Sequence, residues 1–92
     1  MKRADIYAAI DAERARQGAK WGPPHQWGQG DCSSGLVADP VKVAVLAEEC
    51  GEVARCVLDG RDGHDLLAEL TQVAAVAVAW MEGIPDDIDL FD

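Results

Sequence analysis

Ninety-two residues allow one small domain. A chain this short buries only about 60–65% of the surface its unfolded form exposes, so self-association is expected. Hydrophobic residues make up 49% and charged residues 27%, a globular rather than a disordered balance. Eight Lys and Arg stand against seventeen Asp and Glu, a net charge of −9, which argues against a nucleic-acid polymer as partner because duplex binding needs a basic face.

The first residues lack the apolar stretch of a signal segment, and no uncharged apolar run reaches ~18 residues, so no membrane helix is expected. The cysteines, Cys32, Cys50 and Cys56, are odd in number and form no C-x-x-C pair. Cys50 and Cys56 fall on different faces of one helix, and the reading is reduced thiols in the cytoplasm. Cys32 and His25 have no neighbours to complete a zinc set.

The chain reads as all-α: a single domain over residues 1–92, a small bundle with three main helices per chain, completed by oligomerisation. No alternating pattern demands a strand. The first helix runs from about Arg3 to Gly18, with a thin apolar face of Ile6, Tyr7 and Ile10 and with Gly18 suited to its end. A long loop follows at about 20–38, and loops above ~12–15 residues in compact domains are usually functional or disordered. This one holds Trp21, His25 and Trp27 among Gly and Pro residues. Its rings either anchor it on the helices or stack on a flat ligand such as a nucleobase.

The second helix has Asp39 as N-cap and Pro40 at its first position, and runs to about Leu58 before the Asp59-Gly60 stop. The third has Asp62 as N-cap with Asp65 three residues on, and ends at Gly83 before Pro85. An acidic tail at 84–92 closes the chain, either frayed or docked through Ile88, Leu90 and Phe91.

The informative residues are acids on apolar faces. At about 100° per residue, Glu49 and Glu52 share a sector of the second helix with Val45 and Cys56. From Leu66 to Met81 only Glu69, Thr71 and Gln72 are polar, the pattern of a central helix, and Glu69 lies between Val76 and Trp80 on the wheel. A carboxylate in such a place is paired, protonated or bound to metal. The cations in range are Lys20, Lys42, Arg14, Arg55 and Arg61. One Mg²⁺, a hard cation that takes oxygen ligands, satisfies all three glutamates together, because residues at i and i+3 face the same way across a helix pair.

The stretch Glu48-Glu49-Cys50-Gly51-Glu52-Val53 resembles the E-E-x-x-E motif of the MazG-like all-α nucleoside triphosphate pyrophosphohydrolases. Glu69-Leu70-Thr71-Gln72 resembles the second half of that motif, E-x-x-D, at a separation usual for the family. The resemblance covers about Lys42 to Met81, and more loosely the first helix with its Lys20-Trp21-Gly22 ending. It implies a bundle that dimerises or forms tetramers, and Mg²⁺-dependent cleavage (Mn²⁺ as substitute) of a ribo- or deoxyribonucleoside triphosphate to monophosphate and pyrophosphate. By motif position Glu49, Glu52 and Glu69 hold the metal with Gln72. Glu48 is an accessory acid that holds a second metal or orients the attacking water. Gln72 stands where the family has Asp, which removes one negative charge but leaves a carbonyl oxygen to offer.

Residues 1–20 hold five basic and three acidic residues in an otherwise acidic chain, so Lys20, Arg14 and Lys42 are candidates to clamp phosphates. Trp21, His25 and Trp27 are candidates to contact the base. Two rival functions remain at this level. One is a nucleotide sponge or sensor that binds without cutting, because Gln72 weakens the site. The other is an acidic helical dimer with a purely structural role.

Overall fold

A computed structural model describes residues 1–89 and shows an all-helical architecture. Three long helices, α1 (Arg3–Trp21), α2 (Asp39–Leu58) and α3 (Gly63–Glu82), are joined by a long loop and a short turn. The central position expected for the third helix is observed: α3 packs against both α1 and α2. Among the described residues, no helix is long and apolar enough to cross a membrane.

Several local signals act as the sequence indicates. The Asp62 carboxylate caps α3 by accepting the Asp65 N–H at 2.9 Å. Gly83 closes α3, where its N–H is donated to the Ala79 and Trp80 carbonyls. On α2 the N-cap is Ala38 rather than Asp39, so Asp39 lies in the first turn, where its charge complements the helix dipole. On α1 the helix continues past Gly18 to Trp21, and the reason is tertiary. The Trp21 carbonyl, orphaned at the helix end, accepts the Gly30 N–H at 3.0 Å from the returning loop.

The loop also departs from the expected absence of strands. Pro24–His25 and Gly28–Gln29 pair as a minimal antiparallel hairpin. Gly28 has φ 134°, and a Cβ there would collide with the Leu36 carbonyl, so only glycine lets the hairpin fold back on the loop. At the other end, a Cβ on Gly83 would lie 2.8 Å from the Ser33 carbonyl oxygen, so this glycine lets the loop press on the end of α3.

A polar clamp fixes the loop to two helices. Arg14 on α1 binds Asp31 at 2.6 Å, pairs with Glu82 at the end of α3, and reaches Gln17 at 2.9 Å. Asp31 accepts further bonds from the Ser33 N–H at 2.8 Å and the Ser33 hydroxyl at 2.5 Å. Burial works against the Asp31 charge, but Ser33 and Arg14 outweigh it and hold the carboxyl below the ordinary aspartate range.

The core is small. Cys32 from the loop packs with Val76 and Ala79 of α3, flanked by Val45 and Leu46 of α2. Val37, Cys56 and Ala75 are also buried. The three cysteines are free thiols, with Cys50 exposed. The thin apolar face of α1 differs from expectation: Tyr7 is exposed, and the fully buried residue of this helix is Glu13. Ile84 and Ile88 of the tail are exposed, while Leu90 and Phe91 lie outside the described residues.

Candidate functional site

The loop, the C-terminal half of α1 and one face of α2 enclose a cavity of about 800 Å³. Its size falls within the ~300–1,000 Å³ range of small-molecule sites. Trp21, His25 and Trp27 give its lining an aromatic part. Glu13, Glu48, Glu49 and Gln72 give it an acidic and polar part, with Glu48 sharing a smaller adjoining pocket with Trp21 and Trp27. Val37, Val41, Val45 and Val76 form its apolar wall.

The three rings form a cluster. Trp21 and His25 meet edge-on at 5.4 Å between centroids, and Trp27 lies 6.4 Å from Trp21 and 6.2 Å from His25. The Lys20 ammonium lies 5.2 Å from the Trp21 ring centroid, a cation–π contact. His25 has both nitrogens engaged: Nδ1 accepts the Trp27 N–H at 3.2 Å, and Nε2 lies 2.8 Å from the Gly30 carbonyl oxygen. A carbonyl only accepts, so the proton resides on Nε2. The ring therefore offers a ligand its face rather than a free hydrogen-bonding nitrogen. Trp27 is half-exposed and is the ring most open to an incoming flat group.

The acidic part of the lining is electrostatically unbalanced. Burial pushes the Glu49 carboxyl above the ordinary glutamate value, and Glu48, Glu69, Glu52 and Glu13 push it further up. Among the described residues, Glu48, Glu49, Glu52 and Glu69 have no side-chain ion pair. Glu13 differs: burial opposes its charge, but Arg16 and Gln72 hydrogen-bond it and Arg16 and Lys20 attract it, so its carboxyl stays below the ordinary value.

The predicted site residues separate into two groups. Lys20, Trp21, His25, Trp27, Glu48, Glu49 and Gln72 all line the one cavity. Glu52 and Glu69 lie outside its lining, yet close enough to act on the Glu49 charge. Two candidate phosphate clamps, Arg14 and Lys42, do not line the cavity. Arg14 is held by Asp31 and Glu82. Lys42 is 4% exposed. It lies near the Cys32 thiol, which burial pushes up in pKa and which Asp31 raises further while Lys42 and Arg14 oppose the shift.

The glutamates do not form a closed ligand shell: among the described residues, the set with three potential ligand atoms within 4.8 Å of one another is Asp62, His64 and Asp65. That set lies at the start of α3, where Asp62 caps the helix and Asp65 pairs with Arg61 at 3.1 Å, so its geometry has a local structural cause.

Sequence reasoning missed Glu13, Arg16, Asp31 and Cys32 as parts of the cavity wall. A signal for Glu13 was present: Ile6, Ile10, Glu13 and Gln17 are spaced by four, three and four residues and share one helical face.

No protein-family model, curated protein or solved structure matches the chain.

Proposed function

We propose that this chain is a Mg²⁺-dependent nucleoside triphosphate pyrophosphohydrolase that releases a nucleoside monophosphate and pyrophosphate. The observation that carries this reading is one cavity whose lining combines aromatic rings with carboxylates that lack a counter-charge, Glu48 and Glu49. This combination suits a nucleotide, which has a flat apolar base and an anionic tail that approaches carboxylates only with a cation between them.

The donor chemistry fits Mg²⁺, or Mn²⁺ in its place, because every candidate ligand is an oxygen and the excess charge centres on Glu49. Glu49, Glu52 and Glu69 would hold the ion, with the Gln72 carbonyl as a neutral fourth donor. When bound, Mg²⁺ neutralises phosphate oxygens and lowers the pKa of a bound water. Trp27 and Trp21 stack the base. Lys20, fixed over the Trp21 ring, meets the distal phosphates, a role that Arg14, held by Asp31 and Glu82, and Lys42, buried outside the cavity lining, do not share. Glu48 orients the attacking water and accepts its proton. The water oxygen bonds to the α-phosphorus, the bond to the α–β bridging oxygen breaks, and pyrophosphate leaves with that electron pair.

Self-association belongs to the same reading. Val43, Val57, Leu58, Leu70 and Met81 are exposed on α2 and α3. A small domain gains by covering such residues with a second copy, as a homodimer or homotetramer.

A panel of NTPs and dNTPs with Mg²⁺ or Mn²⁺, with pyrophosphate resolved from orthophosphate, tests the activity. Monophosphate and pyrophosphate in equal amounts is the expected result. The open arrangement of Glu49, Glu52 and Glu69, together with Gln72, favours a second reading as a nucleotide sponge or sensor. Tight nucleotide binding without product would select it.

A further inference from the structure

Arg16 and Lys20 are the arginine and the lysine of the cavity lining, and they stand one turn apart on α1. Four residues of helix rise about 6 Å, so the two cations follow one another along the same wall. Each is held by a neighbour. Lys20 lies over the Trp21 ring. Arg16 is held by Glu13: its Nε and Nη2 both donate to Glu13 Oε2, at 2.8 and 2.6 Å. Those two nitrogens form one edge of the planar guanidinium. The outer edge, Nη1 with the second Nη2 hydrogen, has no partner among the described residues. It presents two parallel N–H groups, the fork that grips a phosphate bidentately.

The burial of the pair is lopsided. The Glu13 side chain is 7% exposed, whereas that of Arg16 is 66% exposed. An ion pair with so exposed an arginine returns little stability, and an apolar residue at the buried position of α1 would return more. Holding a guanidinium in one orientation at the cavity wall is what a carboxylate does there and an apolar residue does not.

Resting on the hydrolase reading above, we propose that Arg16 is a further binding residue of the site. Together with Lys20 it takes the two phosphates that leave as pyrophosphate, and Glu13 is the positioning residue that orients its guanidinium. One cation then meets each phosphate, so the α1 wall selects a phosphoanhydride tail over a single phosphate. It also gives a chain of net charge −9 a local surface on which an anion can settle.

The test titrates inorganic pyrophosphate into the full chain at a fixed Mg²⁺ concentration, read by calorimetry, with product release from the NTP panel followed in parallel. Arg16→Gln should weaken pyrophosphate binding about tenfold or more, because charge-assisted hydrogen bonds are lost, with little change in Tm. Arg16→Lys keeps the charge but not the fork, and should stay weakened about threefold or more. Glu13→Gln removes a negative charge beside an anion, which by Coulomb attraction alone would tighten binding. Loss of positioning gives the opposite sign, a weakening of about threefold or more. Adding Arg16→Gln to Glu13→Gln should then cost less than Arg16→Gln alone.

Wild-type affinity in Arg16→Gln overturns this proposal, and product release by the wild type then leaves the hydrolase reading standing. Tighter binding in Glu13→Gln, or full additivity of the two changes, overturns the positioning role of Glu13. If Glu13→Gln does not fold, Arg16→Gln and Arg16→Lys still decide the role of Arg16. A wild type that binds pyrophosphate through Arg16 without releasing product supports the anion site and overturns hydrolysis alone. A wild type that neither binds pyrophosphate at millimolar concentration nor releases product overturns both.

Discussion

Arg14→Met should be among the most destabilising single changes in this chain. Arg14 joins α1 to the loop through Asp31 and to the end of α3 through Glu82. The Arg14 and Asp31 side chains are 13% and 7% exposed, so removal of the guanidinium leaves a buried carboxylate without its counter-charge. Breaking a buried pair from one side costs about 3–5 kcal/mol. Asp31 keeps its two Ser33 bonds, which reduces the loss, while Glu82 is half-exposed and adds at most about 1 kcal/mol. The net expectation is a loss of about 2–3 kcal/mol, or roughly 10–20 °C in Tm for a domain of this size. Urea titration followed by tryptophan fluorescence is a suitable assay, because Trp21 and Trp27 report on the cavity wall and Trp80 on α3. A midpoint change worth less than about 0.5 kcal/mol, or full additivity with Asp31→Asn in a double-mutant cycle, would refute the reasoning.

Gly28→Ala should cost about 3 kcal/mol or more, because it joins a strained positive φ to a clash with the Leu36 carbonyl, and proteolysis within 22–38 should accelerate. Glu52→Ala and Glu69→Ala should each abolish Mg²⁺-dependent product release while circular dichroism stays helical; full activity in both would remove these residues from the site. Trp27→Ala should raise KM about tenfold with little change in Tm, since the ring is half-exposed and base stacking contributes about 1–3 kcal/mol. Stability of the metal-free chain should peak on the mildly acid side of neutrality. The folded pKa of Glu49 is raised, so its repulsion weakens stability at neutral pH and is relieved as pH falls through that raised value. The folded pKa values of Asp31 and Glu13 are lowered, so their stabilisation is complete above the unfolded values and is lost as pH falls through the folded ones. A chemical-denaturation series across pH checks this, and saturating Mg²⁺ should flatten the arm between neutral pH and the peak.

Much of the architecture is a property of local sequence. Asp62 with Asp65, Pro40, and the glycines at 60 and 83 act within a few residues of chain, so the existence and approximate ends of α2 and α3 follow from them. The near-absence of polar residues between Leu66 and Met81 marks α3 as central because a helix apolar on most sides has to be covered on most sides. The same logic placed Glu49, Glu52 and Glu69 on apolar faces; Glu49 and Glu69 are half-buried, whereas Glu52 is exposed.

Other features required distant segments to meet. Helix α1 ends at Trp21 because Gly30, nine residues on, satisfies its last carbonyl. Arg14 and Lys42 read as free cations from composition, but the loop brings Asp31 to one and Cys32 beside the other. Glu13 was legible in principle, since it continues the Ile6–Ile10 stripe. Its place in a cavity wall shared with Gln72 of α3 was not, because the meeting of two helices leaves no periodic trace in either. Helix type, caps and the burden of misplaced charge are written in short-range sequence. Which cation answers which charge depends on long-range packing, because Coulomb and hydrogen-bond energies depend on distances set only when the helices close around the loop.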